Sequence, residues 1–422
     1  MAKKYINNIL VILGSVFLLQ ECILTNAFYI SKFTPILYGI VLYQIIVLLC
    51  DFIVNYNLLK INLKIRIIFV YFIMVLLGIC FYSNSIIQYL NFCKIIFIMT
   101  IFCLFCVRNN INVINTISSM IICYSFLSLL AYVVFGIMSK GKPSIMIYNF
   151  GLNQIMHYNY YNIFYMSQNN YFMNHIFWRN EGIFLEPGVY GLFINFALLN
   201  LVFNKKSKYR KLKYVVLIIN MVLTFSTQGY IVMICIFVIH ISKNINERHK
   251  TIKMLLLSIV FIFGVLIGYY VLKYKSINGA GSILLRSEDF KLGFSLFVKK
   301  PLLGWGILND EPLNNIMGLY RYKNGNSGTS NGLIMLLYQG GIYMIMLYII
   351  PLYYFVKYYK GNFSVQYKLG FIVWIVGSLF SEPLVYSKFF VMLISYGIIY
   401  MIERGVIYEQ SISKYNHSSI QS

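Results

Sequence analysis

The chain has 422 residues, 59% hydrophobic and 11% charged, and a formal net charge of +23. A soluble domain carries roughly 25% charged residues, so the composition excludes a soluble enzyme and leaves a polytopic membrane protein with little soluble mass. The basic excess does not point to nucleic acid, because most lysines and arginines stand in short segments between apolar runs, where they set topology.

Apolar runs of 18 or more residues recur from end to end, each long enough for a hydrocarbon core of ~30 Å. Spans are predicted near 5–24, 33–54, 65–82, 86–107 and 114–138. A long polar loop is expected at 139–185, spans resume near 187–204, 212–225, 228–242 and 253–272, and a second long loop covers 273–328. The last spans fall near 329–356, 366–381 and 386–402, giving about twelve in a single membrane domain over 1–422. The first reads as a span rather than a cleavable signal, because it lacks a small-residue cleavage site and further spans follow. The expected fold class is all-α, a polytopic integral membrane protein with two long external loops.

The eight cysteines, Cys22, Cys50, Cys80, Cys93, Cys103, Cys106, Cys123 and Cys235, all fall inside apolar runs. Cys103 and Cys106 form a CxxC pair deep in a span, with no second pair to complete a metal site. The thiols therefore read as small apolar fillers, and neither disulfides nor zinc are expected.

Orientation follows from lysine and arginine. With a cytoplasmic N-terminus, the inner segments hold Lys3, Lys4, Lys60, Lys64, Arg66, Arg108, the basic run 205–213, Lys243, Arg248, Lys250, Lys253, Lys357, Lys360 and Arg404. The short outer connections hold little beyond Lys32 and Lys388. Both termini are then cytoplasmic and both long loops external. The outer side collects Glu181, Glu186, Glu288, Asp289, Asp310, Glu311 and Glu382, together with Arg179, Arg286 and Arg321. Polar chemistry is thus expected on the outer face. A transporter would need charged or broken-helix sites near the bilayer midplane, and the candidates are few: Lys94, Glu21 and Asp51.

The segment Arg179-Asn-Glu181-Gly-Ile-Phe-Leu-Glu186-Pro187-Gly188 ends the first loop and opens a span. Pro187 suits the first helical turn, where its missing N–H is no loss. Glu186 is then the N-cap, beside the positive end of the helix dipole. A carboxylate held at the membrane boundary near an arginine is a place for chemistry, and it equally suits an ordinary cap with a surface ion pair. The tyrosines and asparagines of 148–174 suit a glycan groove or an interfacial aromatic belt.

The second loop carries Arg286…Lys291…Lys299-Lys300-Pro301-Leu-Leu-Gly304-Trp305-Gly306, read as a short amphipathic helix. Phe290, Phe294 and Phe297 share one face at helical spacing. Pro301 stops the helix, and Gly304 and Gly306 allow a tight turn. Such a helix fits the outer interface as an anchor. Arg286 at its start suits phosphate oxygens, which its planar fork can bind bidentately. Ser330 and Asn331 precede another span and suit helix caps.

Taken in order, Arg179…Glu186-Pro187, Phe225-Ser-Thr-Gln-Gly229, Arg286…Pro301-Leu-Leu-Gly304-Trp-Gly306 and Ser330-Asn331…Gly341 resemble the Wzy-type polysaccharide polymerases and the related O-antigen ligases. The resemblance covers about residues 175 to 345 by motif and the whole chain by span layout. Where the ligases carry a histidine this chain has Ser330, which favours a polymerase. The resemblance implies a GT-C-like, metal-independent membrane glycosyltransferase without a cofactor, in the bacterial cytoplasmic (inner) membrane. It would join undecaprenyl-pyrophosphate-linked repeat units into capsule, O-antigen or exopolysaccharide, with a flippase and a chain-length regulator as further partners. Glu186 is then the acceptor's base, with Arg179 and Arg286 at the pyrophosphate. Arg321, Glu181, Lys291, Tyr190, Ser330 and Asn331 become substrate contacts. A ligase-type transferase and a lipid-linked-oligosaccharide flippase are the alternatives.

Overall fold

The structure, a computed structural model, describes residues 86–109, 111–138, 143–150, 153–161, 164–172, 175–184, 186–203, 207–244, 280–318, 321, 328–359 and 364–402, with Ile9 and Ile73 before them. Most of these residues are helical. The helices are α1 (Ile86–Arg108), α2 (Val113–Ala131), α3 (Pro187–Phe203), α4 (Arg210–Thr224) and α5 (Thr227–Asn244). They continue with α6 (Ala280–Lys299), the single turn α7 (Glu311–Asn314), α8 (Gly332–Tyr358), α9 (Val365–Ser381) and α10 (Lys388–Ile402). The α1, α2 and α8 regions are long and apolar enough to cross a membrane; α3, α5, α9 and α10 contain shorter apolar helices. The spans predicted at 5–24, 33–54, 65–82 and 253–272 lie outside the described residues.

Local signals explain the helix ends. Asn112 accepts from Asn115 N at 3.0 Å to start α2, and Ser364 accepts from Tyr367 N at 3.3 Å to start α9. α2 runs on into a π-helical turn over Tyr132–Ile137. Helix α3 is apolar and buried almost all round, as befits a helix at the centre of a bundle. Trp374 of α9 donates to Leu192 O at 2.9 Å, and Asn195 of α3 donates to Gly229 O at 2.9 Å. Glycines bring the helices close: a Cβ on Gly370 would lie 2.7 Å from Leu199, and one on Gly397 would overlap the backbone at Pro351.

The all-α expectation needs correction. Within the first predicted loop, β1 (Ser144–Phe150), β2 (Asn153–Tyr160), β3 (Phe164–Phe172) and β4 (His175–Gly182) form one antiparallel sheet in that order. The composition accounts for it. The strands are rich in tyrosine, phenylalanine and isoleucine, which suit a pleated half-buried surface. Tyr161, at φ 58°, turns the chain between β2 and β3. Polarity alone made this stretch read as a loop.

A buried polar network fastens the sheet to the bundle. Asn180 of β4 donates to Asn220 Oδ1 of α4 and to Ser128 Oγ of α2, each at 3.0 Å. Asn220 in turn donates to Ser125 O at 2.9 Å, and Tyr190 of α3 donates to Asn220 Oδ1 at 3.2 Å. Polar groups at this depth must pair internally.

Helix α6 is longer than the predicted amphipathic stretch. It turns Asp289, Gly293 and Leu296 inward, and a Cβ on Gly293 would overlap Ile334 of α8. Phe290 and Phe294 are each 48% exposed on its other side. After Pro301 the chain becomes a strap across a break in α8. Trp305 N and Gly306 N donate to Tyr338 O and Gln339 O at 2.9 Å, while Ile342 N and Tyr343 N donate to Pro301 O and Leu302 O at 2.8 and 3.0 Å. The Pro-x-x-Gly-x-Gly run thus satisfies the backbone groups that the break releases, which an apolar setting requires.

The break centres on Gly341, at φ 59° and ψ −160°, a conformation essentially restricted to glycine. A Cβ there would also stand 2.6 Å from Leu302 C. Gly341→Ala is expected to destabilise the protein by about 1–3 kcal/mol from backbone strain alone. Thermal unfolding of the detergent-solubilised variant checks this, and an unchanged midpoint would count against the strap.

Candidate functional site: a paired carboxyl between two arginines

Four helix ends meet near Arg179 of β4. Arg179 on β4 donates through Nε to Thr224 O, at the C-terminal end of α4, at 2.9 Å. Glu186 stands immediately before α3, and its carbonyl accepts from Tyr190 N at 3.1 Å, as an N-cap carbonyl should. Glu382 caps the far end of α9, with extended backbone at φ −130° and ψ 135° and its N–H on Ser378 O at 3.0 Å. The start of α8 abuts the same residue: a Cβ on Gly332 would lie 2.7 Å from Glu382 O.

The Glu186 and Glu382 carboxyls meet over Gly188, in the first turn of α3. A Cβ on Gly188 would overlap Glu382 Oε1 and lie 3.9 Å from Glu186 Oε1. The two carboxyls hydrogen-bond to each other, with the charges of Arg179 and Arg286 acting on both. The structure therefore places Glu186 within electrostatic reach of Arg179 and Arg286, and adds Glu382 as its direct partner.

Burial decides the protonation of the pair. It pushes the Glu186 carboxyl up; Arg179 and Arg286 oppose it, Glu181 reinforces it, and the hydrogen bond from Glu382 opposes it. Burial pushes Glu382 well above the usual carboxylate range, and the neighbouring Glu186 charge adds to this. Glu382 is only 3% exposed, whereas Glu186 keeps part of its surface open. Burial thus raises both carboxyls, Glu382 more strongly than Glu186, and the two titrate as a pair. Burial lowers the Arg179 guanidinium, against which the surrounding carboxylates act; it stays a cation throughout.

The other predicted contacts go elsewhere. Glu181 is fully buried on the sheet, accepting from Ser167 Oγ and paired with His157 Nδ1 at 2.9 Å. It is the extra residue of a β-bulge, since Tyr165 pairs with Gly182 and Met166 with Asn180, and bulges redirect side chains in this way. Tyr190 is buried in the Asn180–Asn220 network. Asn331 caps α8 through Oδ1, which accepts from Leu333 N and Ile334 N at 3.0 and 3.1 Å. Lys291 is exposed, on a different side of α6 from Asp289 and Gly293.

Arg321 and Ser330 share a partner, Asp289, one of the outer carboxylates of the sequence. Arg321 pairs with Asp289 and donates to Gly328 O at 2.9 Å. Ser330 meets Asp289 Oδ2 with both its backbone N, at 2.9 Å, and its Oγ, at 2.8 Å. Asp289 thus pins the outer segment and the start of α8 to α6, one turn from Arg286. Asp289→Ala takes the closer carboxylate from the buried Arg321 and leaves the partly exposed Glu288, 3.8 Å away, a loss expected to cost up to about 3–5 kcal/mol. Thermal unfolding should show a correspondingly large fall; a shift of a degree or less would mean Arg321 is held by other groups.

Glu382 had a signal in the sequence. Three of the seven prolines directly follow a glutamate, at 186–187, 311–312 and 382–383, all on the predicted outer side. Two of these, Glu186-Pro187 and Glu382-Pro383, stand at a predicted span end, where the proline fixes the carboxylate's backbone. Among the described residues, no group of three or more His, Cys, Asp or Glu side chains is placed to hold a metal ion. No family model, curated protein or solved structure matches the chain, so the reading of this site rests on its geometry and charge.

Proposed function

We propose that the chain is a membrane glycosyltransferase that polymerises undecaprenyl-pyrophosphate-linked repeat units at the outer face of the bacterial cytoplasmic membrane. The observation that carries this reading is the buried carboxyl pair flanked by Arg179 and Arg286. Displacement at an anomeric carbon needs a base for the attacking hydroxyl and positive charge for the departing pyrophosphate. Glu186 takes the acceptor's hydroxyl proton as that oxygen bonds to the donor's anomeric carbon. The bond from that carbon to the pyrophosphate oxygen breaks, and its electron pair leaves with the pyrophosphate. Arg286 and Arg179 face the negative charge that develops there.

The position of the buried charges favours this over transport. Among the described residues, the buried ionisable side chains Glu181, Asp289, Arg321 and Glu382 lie on the sheet, on α6, in the outer segment between α7 and α8 and at the end of α9, rather than lining a path through the spans. Membranes containing the chain, supplied with lipid-linked repeats, should yield products that grow by one repeat at a time. Transfer of a single preformed glycan to a different lipid would favour the ligase-type alternative, and movement of repeats across the bilayer without joining would favour a flippase.

A further inference from the structure

The base needs a defined protonation state, and one neighbour is built to supply it. Glu382 belongs to a helix remote in sequence from Glu186, is almost completely buried, and is fixed from both sides: its N–H by Ser378 O and its carbonyl by the close approach of Gly332. Its side chain reaches Glu186 only because residue 188 has no Cβ. The backbone at Gly188 is not left-handed, so no turn demands glycine there. Its lack of a side chain serves the meeting of the two carboxyls.

We propose that Glu382 is a positioning residue for Glu186: it holds the pair's single proton and donates it as a hydrogen bond to the Glu186 carboxylate, keeping that oxygen ionised and aimed. The inference rests on Glu186 being the acceptor's base. The charged groups facing the pair are Arg179 and Glu181 from β4 and Arg286 from α6. The arginines favour ionisation and Glu181 opposes it, so without the Glu382 donor the burial of Glu186 is less well offset. Glutamine at 382 keeps the donor and the size; leucine removes the donor.

Two measurements separate this role from simple packing and from the enzymatic reading. The first needs no activity. Infrared spectra of the purified protein at neutral pH should contain a protonated-carboxyl C=O band that survives in Glu186→Gln and disappears in Glu382→Gln. A band lost in Glu186→Gln and kept in Glu382→Gln, or one that neither variant changes, overturns the assignment. The second is the pH profile of polymer formation. Glu382→Leu should move the acid limb to higher pH, by about one unit for each tenfold loss of activity on that limb. Glu382→Gln should restore the parent limb. Gly188→Ala, which displaces the Glu382 carboxyl, should behave like Glu382→Leu. If Glu186→Gln is inactive but all three profiles coincide with the parent, Glu382 does not position the base. If Glu186→Gln is itself active, the base assignment fails, and the infrared result alone decides who holds the proton.

Discussion

Glutamine in place of Glu186 is expected to stop glycan transfer at an unchanged protein level, with single lipid-linked repeats accumulating. The amide keeps the size of the side chain and can still accept a hydrogen bond at the start of α3, so capping survives. It cannot take a proton from the acceptor hydroxyl. General-base catalysis typically contributes about 10²–10⁴-fold, and the rate should fall by that factor. Glu186→Ala adds a loss of about 1 kcal/mol of local stability if the side chain also caps the helix. An ordinary cap predicts the reverse order, with Gln nearly silent and Ala merely less stable. Polymer yield at matched expression distinguishes the two, and a wild-type rate in Glu186→Gln would remove Glu186 from the chemistry.

Arg286→Ala carries the second large effect. Removing a preorganised group that meets charge developing in the transition state costs about 10²–10³ in rate. Arg286 acts on both carboxyls, so its loss also raises the pair further and depletes the ionised base. Both consequences act in the same direction at neutral pH, and the acid limb should move up as the maximal rate falls. Arg286→Lys should recover only part, because an ammonium cannot reproduce bidentate contact with phosphate oxygens. Arg179 is a less clean probe. Its Nε holds Thr224 O at the end of α4, so Arg179→Ala mixes lost charge with an unsatisfied buried carbonyl. Full-length polymer from both Arg286 variants would reduce α6 to an interfacial anchor, for which its exposed Phe290 and Phe294 already suit it.

What could be read from the sequence was whatever a short stretch encodes by itself. Glu186-Pro187 opens α3 as its proline implies, and Asn331 caps α8 through its own side chain. Long apolar runs marked α1 to α5 and α8 to α10, because hydrophobic length is a local property; α6 and α7 fell within the predicted second loop. The sheet was hidden because its pairing register, with the bulge at Glu181, is set between strands and not by any one stretch of sequence. Asn180 looked like loop polarity, yet it ties β4 to α2 and α4. Pro301 to Gly306 read as a turn, and its function as a strap needs the break at Gly341 beside it. Glu382 was visible as an outer carboxylate but not as the partner of Glu186. That pairing depends on α9 ending next to the start of α3 and on the space left by Gly188. Asp289 was likewise one acid among several until Arg321 and Ser330 closed on it.

The central claim is that the carboxyl pair and its arginines join lipid-linked repeats with release of the carrier pyrophosphate. Purified protein in liposomes, supplied only with undecaprenyl-pyrophosphate-linked repeats and a chelator, tests it most directly. Counting glycosidic bonds formed against undecaprenyl pyrophosphate released should give one for one, and both should vanish in Glu186→Gln and in Arg286→Ala. Bonds that form equally well in both variants, or repeats that cross the bilayer and never join, would contradict the account.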